Sequence, residues 1–138
     1  MKLREMMTPS PCTASPSESI DRVAQMMRDE DVGSIPIVEN DRLVGIITDR
    51  DISVHVVAAG IDPKQARAGD TMTQNPVTGR PDMSDREALD LMGREQIRRL
   101  PIVENGRLVG MVALADFATE PEADEVDEAM EEISQPAR

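Results

Sequence analysis

PIVENDRLVG (residues 36–45) and PIVENGRLVG (residues 101–110) differ at one position in ten. They stand 65 residues apart, and the same shift lays residues 3–53 over 68–118 without a gap, with 18 identities in 51 positions. Met7-Thr8 falls on Met72-Thr73; Pro11, Thr13 and Pro16 fall on Pro76, Thr78 and Pro81; Asp51 falls on Asp116. A gapless match of this density is an internal repeat, and a repeat has to be settled before any single element is read.

Working outward from the quoted stretch, Ile35-Pro-Ile-Val-Glu is an apolar run of strand length. Asn40-Asp41 is a tight turn, and Arg42-Leu-Val-Gly-Ile-Ile returns antiparallel. Upstream, Ile20, Val23, Ala24 and Met27 recur at helical spacing over about 19–30, with Ser19 or Ser17 as cap and Gly33 as stop. Pro11-Cys12-Thr13 reads as a short extended entry, and a second helix is expected from Thr48 or Asp49 to about Ala59. Each repeat is therefore β-α-β-β-α, an α+β unit. Alone it leaves half its apolar surface wet, so two repeats are expected to pack about a pseudo-twofold axis. The expected boundaries are 3–59 for the first repeat, 60–66 for the connector, 67–118 for the second repeat and 119–138 for an acidic tail.

Composition narrows the function classes. The chain carries one Phe and neither Trp nor Tyr, so Ile, Val, Leu, Met and Ala must build the core. Ten Met suit irregular gaps. A net charge of −12 argues against a nucleic-acid partner. One cysteine leaves no internal disulfide and no cysteine-built metal site. No apolar leader or spanning stretch is present, so a cytoplasmic protein without a membrane partner is expected.

LPIVENGRLVGMV and IPIVENDRLVGIITDRD, each at a fixed interval after MMT or TMT, resemble the CBS domain, named after cystathionine β-synthase. The resemblance covers residues 3–118, and its Gly-hydrophobic-x-Thr-x-x-Asp element is matched by Gly45-Ile46-Ile47-Thr48-Asp49-Arg50-Asp51. It implies a tandem pair, a Bateman module, that binds AMP, ADP, ATP or S-adenosylmethionine in the cleft between repeats. It also implies a homodimeric regulatory protein rather than an enzyme, read by an unidentified regulated partner.

Thr48 and Asp51 set a hydroxyl and a carboxylate three residues apart at a helix start. A carboxylate accepts two hydrogen bonds and suits the 2′- and 3′-hydroxyls of a ribose, while the helix N-terminus favours phosphate. The alternative is purely local: Thr48 caps the helix and Asp51 completes the cap. In the second repeat Ala113 stands where the first has Thr48 and Asp116 is kept, so Asp116 with Thr78 is expected to form a weaker site. Related pairs carry basic residues just before the strand's Pro; carried over, Arg98 and Arg99 would hold phosphates at the Asp51 site, with Arg50 assisting. The base would lie among Thr13, Pro36 and Ile47, near Cys12 and Ile35.

No nucleophile–base pair, metal cluster or phosphate-cradling glycine loop is present, so neither catalysis nor a resident metal is expected. The competing reading is a structural homodimerisation module with no nucleotide. His55 lies on an apolar helix without companion ligands and reads as a helix-face or interface residue. In the tail, Val126, Ala129, Met130 and Ile133 fall at i, i+3, i+4 and i+7, so 123–134 is either an amphipathic helix or a solvated acidic tail.

Overall fold

The computed structural model describes residues 1–117 and Ile133. In chain order the elements are α1 (Leu3–Met6), β1 (Thr8–Pro9), α2 (Ile20–Glu30), β2 (Ser34–Glu39), β3 (Arg42–Thr48) and α3 (Asp49–Ile52), which runs on as a π-helical turn, Ser53–Val57. Then come α4 (Ala68–Thr71), β4 (Thr73–Gln74), α5 (Asp85–Glu95), β5 (Arg99–Glu104), β6 (Arg107–Ala113) and a 3₁₀ turn, Leu114–Phe117. The chain is α+β, as the repeat pattern predicts.

Two compact units form. One holds Pro11–Pro76 with Gly106–Leu108; the other holds Met1–Ser10, Val77–Asn105 and Val109–Arg138. The folded unit therefore differs in membership from the repeat read along the chain, because each repeat's leading segment packs with the body of the other. In the unit built on the first repeat, β3 pairs antiparallel with β2 and with the second repeat's β4. Ala68 at the start of α4 is fully buried beside Ile20, Ile35, Ile37 and Ile47. In the unit built on the second repeat, β6 pairs with β5 and with the first repeat's β1, and Leu3 of α1 is fully buried beside Leu100, Ile102 and Val112.

The offset of 65 persists atom by atom. Leu3 N–H donates to Met83 O at 2.9 Å and Ala68 N–H to Glu18 O at 2.8 Å. Gly79 N–H donates to Pro101 O at 2.9 Å and Ala14 N–H to Pro36 O at 3.1 Å. Volumes compensate within each unit. Leu3 takes the place that Ala68 takes in the other unit, and Gly79 stands where the other has Ala14. A Cβ on Gly79 would lie 2.9 Å from Leu100 Cδ2 and 3.3 Å from Leu3 Cδ1. The larger Leu3 is accommodated because position 79 has no side chain.

Several local expectations are met. Ser19 caps α2, its Oγ accepting from Arg22 N–H at 3.2 Å, and Ser84 does the same for α5 at 3.1 Å. Asn40 and Asp41 both take positive φ, 53° and 65°, the geometry of a tight hairpin turn. Others are corrected. Gly33 does not end the first helix: α2 stops at Glu30, and Asp31 adopts the left-handed conformation at φ 53°. Its end is closed by Val32 N–H donating to Met27 O at 3.0 Å, a Schellman-type wrap that Gln96 and Ile97 repeat on α5. Residues 11–13 are not a strand. The extended entry is Thr8–Pro9, followed by a single parallel bridge, Ala14 to Ile37, because the backbone of 11–13 makes no ladder. The second helix runs over 49–57 and not to Ala59, its last five residues wound as π-helix. The helix expected over 123–134 lies, apart from Ile133, outside the described residues.

Candidate functional site

Thr48 ends β3 in extended conformation (φ −105°, ψ 163°), so its side chain turns back over the helix that follows. Its Oγ1 accepts from Asp51 N–H at 3.1 Å, and Asp51 Oδ2 accepts from Thr48 N–H at 2.9 Å. The pair is a reciprocal capping box. Both side chains are half-buried. The local reading of Thr48-x-x-Asp51 is thus realised, and it consumes Oδ2 alone: no hydrogen bond from a described residue reaches Oδ1. The second repeat keeps half of the device. Asp116 Oδ2 accepts from Ala113 N–H at 2.8 Å, no hydroxyl answers, and Asp116 is exposed.

The strand register gathers the other predicted residues of this unit at the same end. Ser34 pairs with Thr48, Ile35 with Ile47 and Pro36 with Ile46, while Ala14, next to Thr13, donates to Pro36 O. Asp49 N–H is held by Gly33 O at 2.9 Å, which closes the β2 start onto the helix start. Ile47 and Pro36 are buried, Thr13 is exposed, and Arg50 is exposed with its N–H on Asp49 Oδ1 at 2.8 Å. Cys12 is partly buried; desolvation and then Glu30 push its thiol pKa up, against an opposing pull from Arg22. In the other unit Arg98 is exposed and Arg99 half-buried, Arg98 O accepts from Leu114 N–H at 2.8 Å, and neither guanidinium forms an ion pair with a described residue. Thr78 is exposed.

A surface depression of about 560 Å³ lies at the hairpin end of β2 and β3, lined by Pro16, Ser17, Glu39, Val44, Arg67, Gly69, Asp70 and Met72. None of the predicted ligand residues lines it. Sequence reading gave this hollow no role, and its one signal there is the exposed Arg67 beside Asp70.

Two CBS-domain models match residues 3–58 and 68–123. The chain belongs to the CBS-domain family. It is similar to the CBS domain-containing protein YhcV of Bacillus subtilis, 43% identical over 116 residues, which span 84% of this chain and 82% of that one. A crystal structure of Hypoxic Response Protein I with two coordinated zinc ions shares its fold at TM-score 0.79 and 37% identity, covering 86% of this chain and 97% of that one. The CBS domain pair of protein MJ0100, solved with 5′-methylthioadenosine and S-adenosyl-L-methionine, matches at TM-score 0.76 and 27% identity over 84% and 91% of the two chains. The CBS pair is a regulatory module. Zinc is a property of that relative: among the described residues no cluster of three or more His, Cys, Asp or Glu side chains is placed to hold a metal. Among the same residues no helix is long and apolar enough to cross a membrane.

Proposed function

We propose that this CBS pair is a sensor of an adenosine-type nucleotide, AMP, ADP or ATP, with S-adenosylmethionine as the other candidate of the class. One observation carries the reading. Asp51 is pinned through Oδ2 to the backbone at Thr48 and keeps Oδ1 for a guest. A carboxylate already oriented by its own helix loses little freedom on gripping a ribose diol. The adenosine ligands of the MJ0100 pair support the ligand class. Arg98 and Arg99, uncommitted among described residues, fit phosphate oxygens; Arg50 assists; Thr13, Pro36 and Ile47 supply the surface for the base. Asp116 with Thr78 forms the weaker site, since Ala113 brings no hydroxyl.

Binding drives regulation only through a difference in affinity between two conformations, which a regulated partner then reads. The second reading is a self-association module without a nucleotide. It is favoured by Val54, Val57 and Ile61, 43%, 67% and 47% exposed on and just beyond the helix after β3.

Calorimetric titration with AMP, ADP, ATP and S-adenosylmethionine separates the two. At least one is expected to bind with a Kd of about 1 μM, near −8 kcal/mol. Asp51→Asn keeps an oxygen for Thr48 N–H but puts an amide donor where the diol needs an acceptor. It is expected to weaken binding at least about tenfold, ~1.4 kcal/mol, while the melting temperature holds. Arg98→Ala should weaken ATP more than adenosine. No heat with any of the four, or equal binding by Asp51→Asn, would leave the self-association reading.

A further inference from the structure

The depression at the hairpin end of β2 and β3 lies wholly within the first-repeat unit, so the second-repeat unit supplies its own comparison. Under the 65-residue offset its lining residues Pro16, Gly69 and Asp70 fall on Pro81, Arg4 and Glu5. The backbone is the same in both places: Gly69 N–H donates to Pro16 O at 2.8 Å, and Arg4 N–H donates to Pro81 O at 3.0 Å. The side chains differ. Arg4 turns its guanidinium back onto the carbonyl, Nε donating to Pro81 O at 3.4 Å. Gly69 has no side chain, and no side chain of a described residue donates to Pro16 O. One unit thus carries a guanidinium of its own where the other is hollow.

The charged groups of the hollow are also left over. In the second-repeat unit Glu5 Oε2 accepts from Lys2 N–H at 3.0 Å. Asp70, one methylene shorter, makes no such bond at the start of α4. Among the described residues neither Asp70 nor Glu39 has a hydrogen-bond or ion-pair partner for its carboxylate. Arg67, at the rim, donates from Nη1 only to Ser17 O, at 3.5 Å. Val44 and Met72, both half-buried, form the apolar part of the lining. A planar guanidinium offers several donors at once to carbonyl and carboxylate oxygens, and the fork of Arg67 suits a carboxylate.

We propose that this hollow binds a free guanidino acid of the arginine type. The guest's guanidinium takes the place that Arg4 fills in the other unit, on Pro16 O with Asp70 and Glu39 as counter-charges. Its methylene stem lies on Val44 and Met72, and its carboxylate meets Arg67. Thr48 and Asp51 stand at the opposite end of the β2–β3 ladder, so the site is independent of the nucleotide.

Calorimetric titration of the full-length chain with L-arginine tests this. One arginine is expected to bind per chain, whereas citrulline, whose urea carries no charge, should bind at least about tenfold more weakly. N-acetyl-arginine amide has no carboxylate for Arg67 and should also bind more weakly than free arginine; equal binding overturns the assignment to the free molecule. Gly69→Arg sets the chain's own guanidinium in the hollow, as Arg4 does in the other unit, and should abolish arginine binding. Arg4→Gly opens the matching place and should raise the stoichiometry to two. No heat with arginine, equal binding of citrulline, or undiminished binding by folded Gly69→Arg overturns the proposal. Should Gly69→Arg fail to fold, Arg4→Gly decides, and a stoichiometry that stays at one overturns it.

Discussion

Asp51 is a residue with two employments. As the third residue of α3 it answers Thr48 N–H, and as a carboxylate it retains an oxygen. These separate by substitution: Asp51→Ala removes the carboxylate half of the capping box and the free acceptor together, costing up to about 1 kcal/mol of stability, whereas Asp51→Asn retains the box. Cys12 offers a second test at this scale. Its thiol pKa is raised, first by desolvation and then by Glu30. Below the ordinary thiol pKa both folded and unfolded chains hold the proton, and the full stability is present. Above it the unfolded chain loses the proton first, so stability falls with rising pH until the folded thiol also ionises. The melting temperature of the unsubstituted protein should therefore decline more steeply at alkaline pH than that of Cys12→Ser. Parallel curves would show that the thiol environment does not differ from that of the unfolded chain.

At the scale of elements, the hairpins and the two long helices were legible because their signals are local: an Asn-Asp or Asn-Gly turn between apolar runs, and the helical spacing of Ile20, Val23, Ala24 and Met27 behind the Ser19 cap, which the repeat carries over to the second helix. What escaped has its cause far along the chain. The four residues of α1 are too few to show periodicity, and Leu3 is held by Met83 O, eighty residues away. The helix stop at Asp31 escaped because a left-handed residue there is neither Gly nor Asn. At the site, Thr48-x-x-Asp51 carried two readings of equal spacing, and spacing alone cannot tell a cap from a ligand grip. The exchange of leading segments between units yields its own prediction. Gly79→Ala forces its Cβ against Leu100, Ile102 and Leu3 and should cost about 1–3 kcal/mol, the usual range for overpacking. Leu3→Ala restores the Ala-with-Ala pairing found at Ala14 and Ala68, so the double variant should be more stable than the two single costs added together. Urea unfolding of the four proteins measures the coupling, and simple additivity would mean that Leu3 does not set the space at position 79.

For the whole molecule, the first repeat offers another copy an apolar surface that the second repeat's sequence does not repeat. Val54, Val57 and Ile61 of the first repeat correspond, 65 residues on, to Thr119, Glu122 and Val126. The first repeat thus carries an exposed apolar patch, and two of the three matching positions in the second are polar. A single self-complementary patch per chain closes as a twofold pair, whereas two equivalent patches would permit open growth. Self-association through the first repeat is therefore expected to stop at a dimer of the 15.1 kDa chain. Val57, 67% exposed, contributes little to the monomer's core, so Val57→Glu should change the stability of the folded chain by no more than about 0.5 kcal/mol. Across a twofold interface the same substitution sets two carboxylates on an apolar surface, where each resists desolvation. Val57→Glu should then sediment as a monomer at concentrations where the unsubstituted protein is dimeric. Val56→Ala, one residue earlier but buried, should behave in the opposite way, losing on the order of 2 kcal/mol of stability while the folded fraction still pairs. A dimer that survives Val57→Glu would mean that a different surface makes the contact.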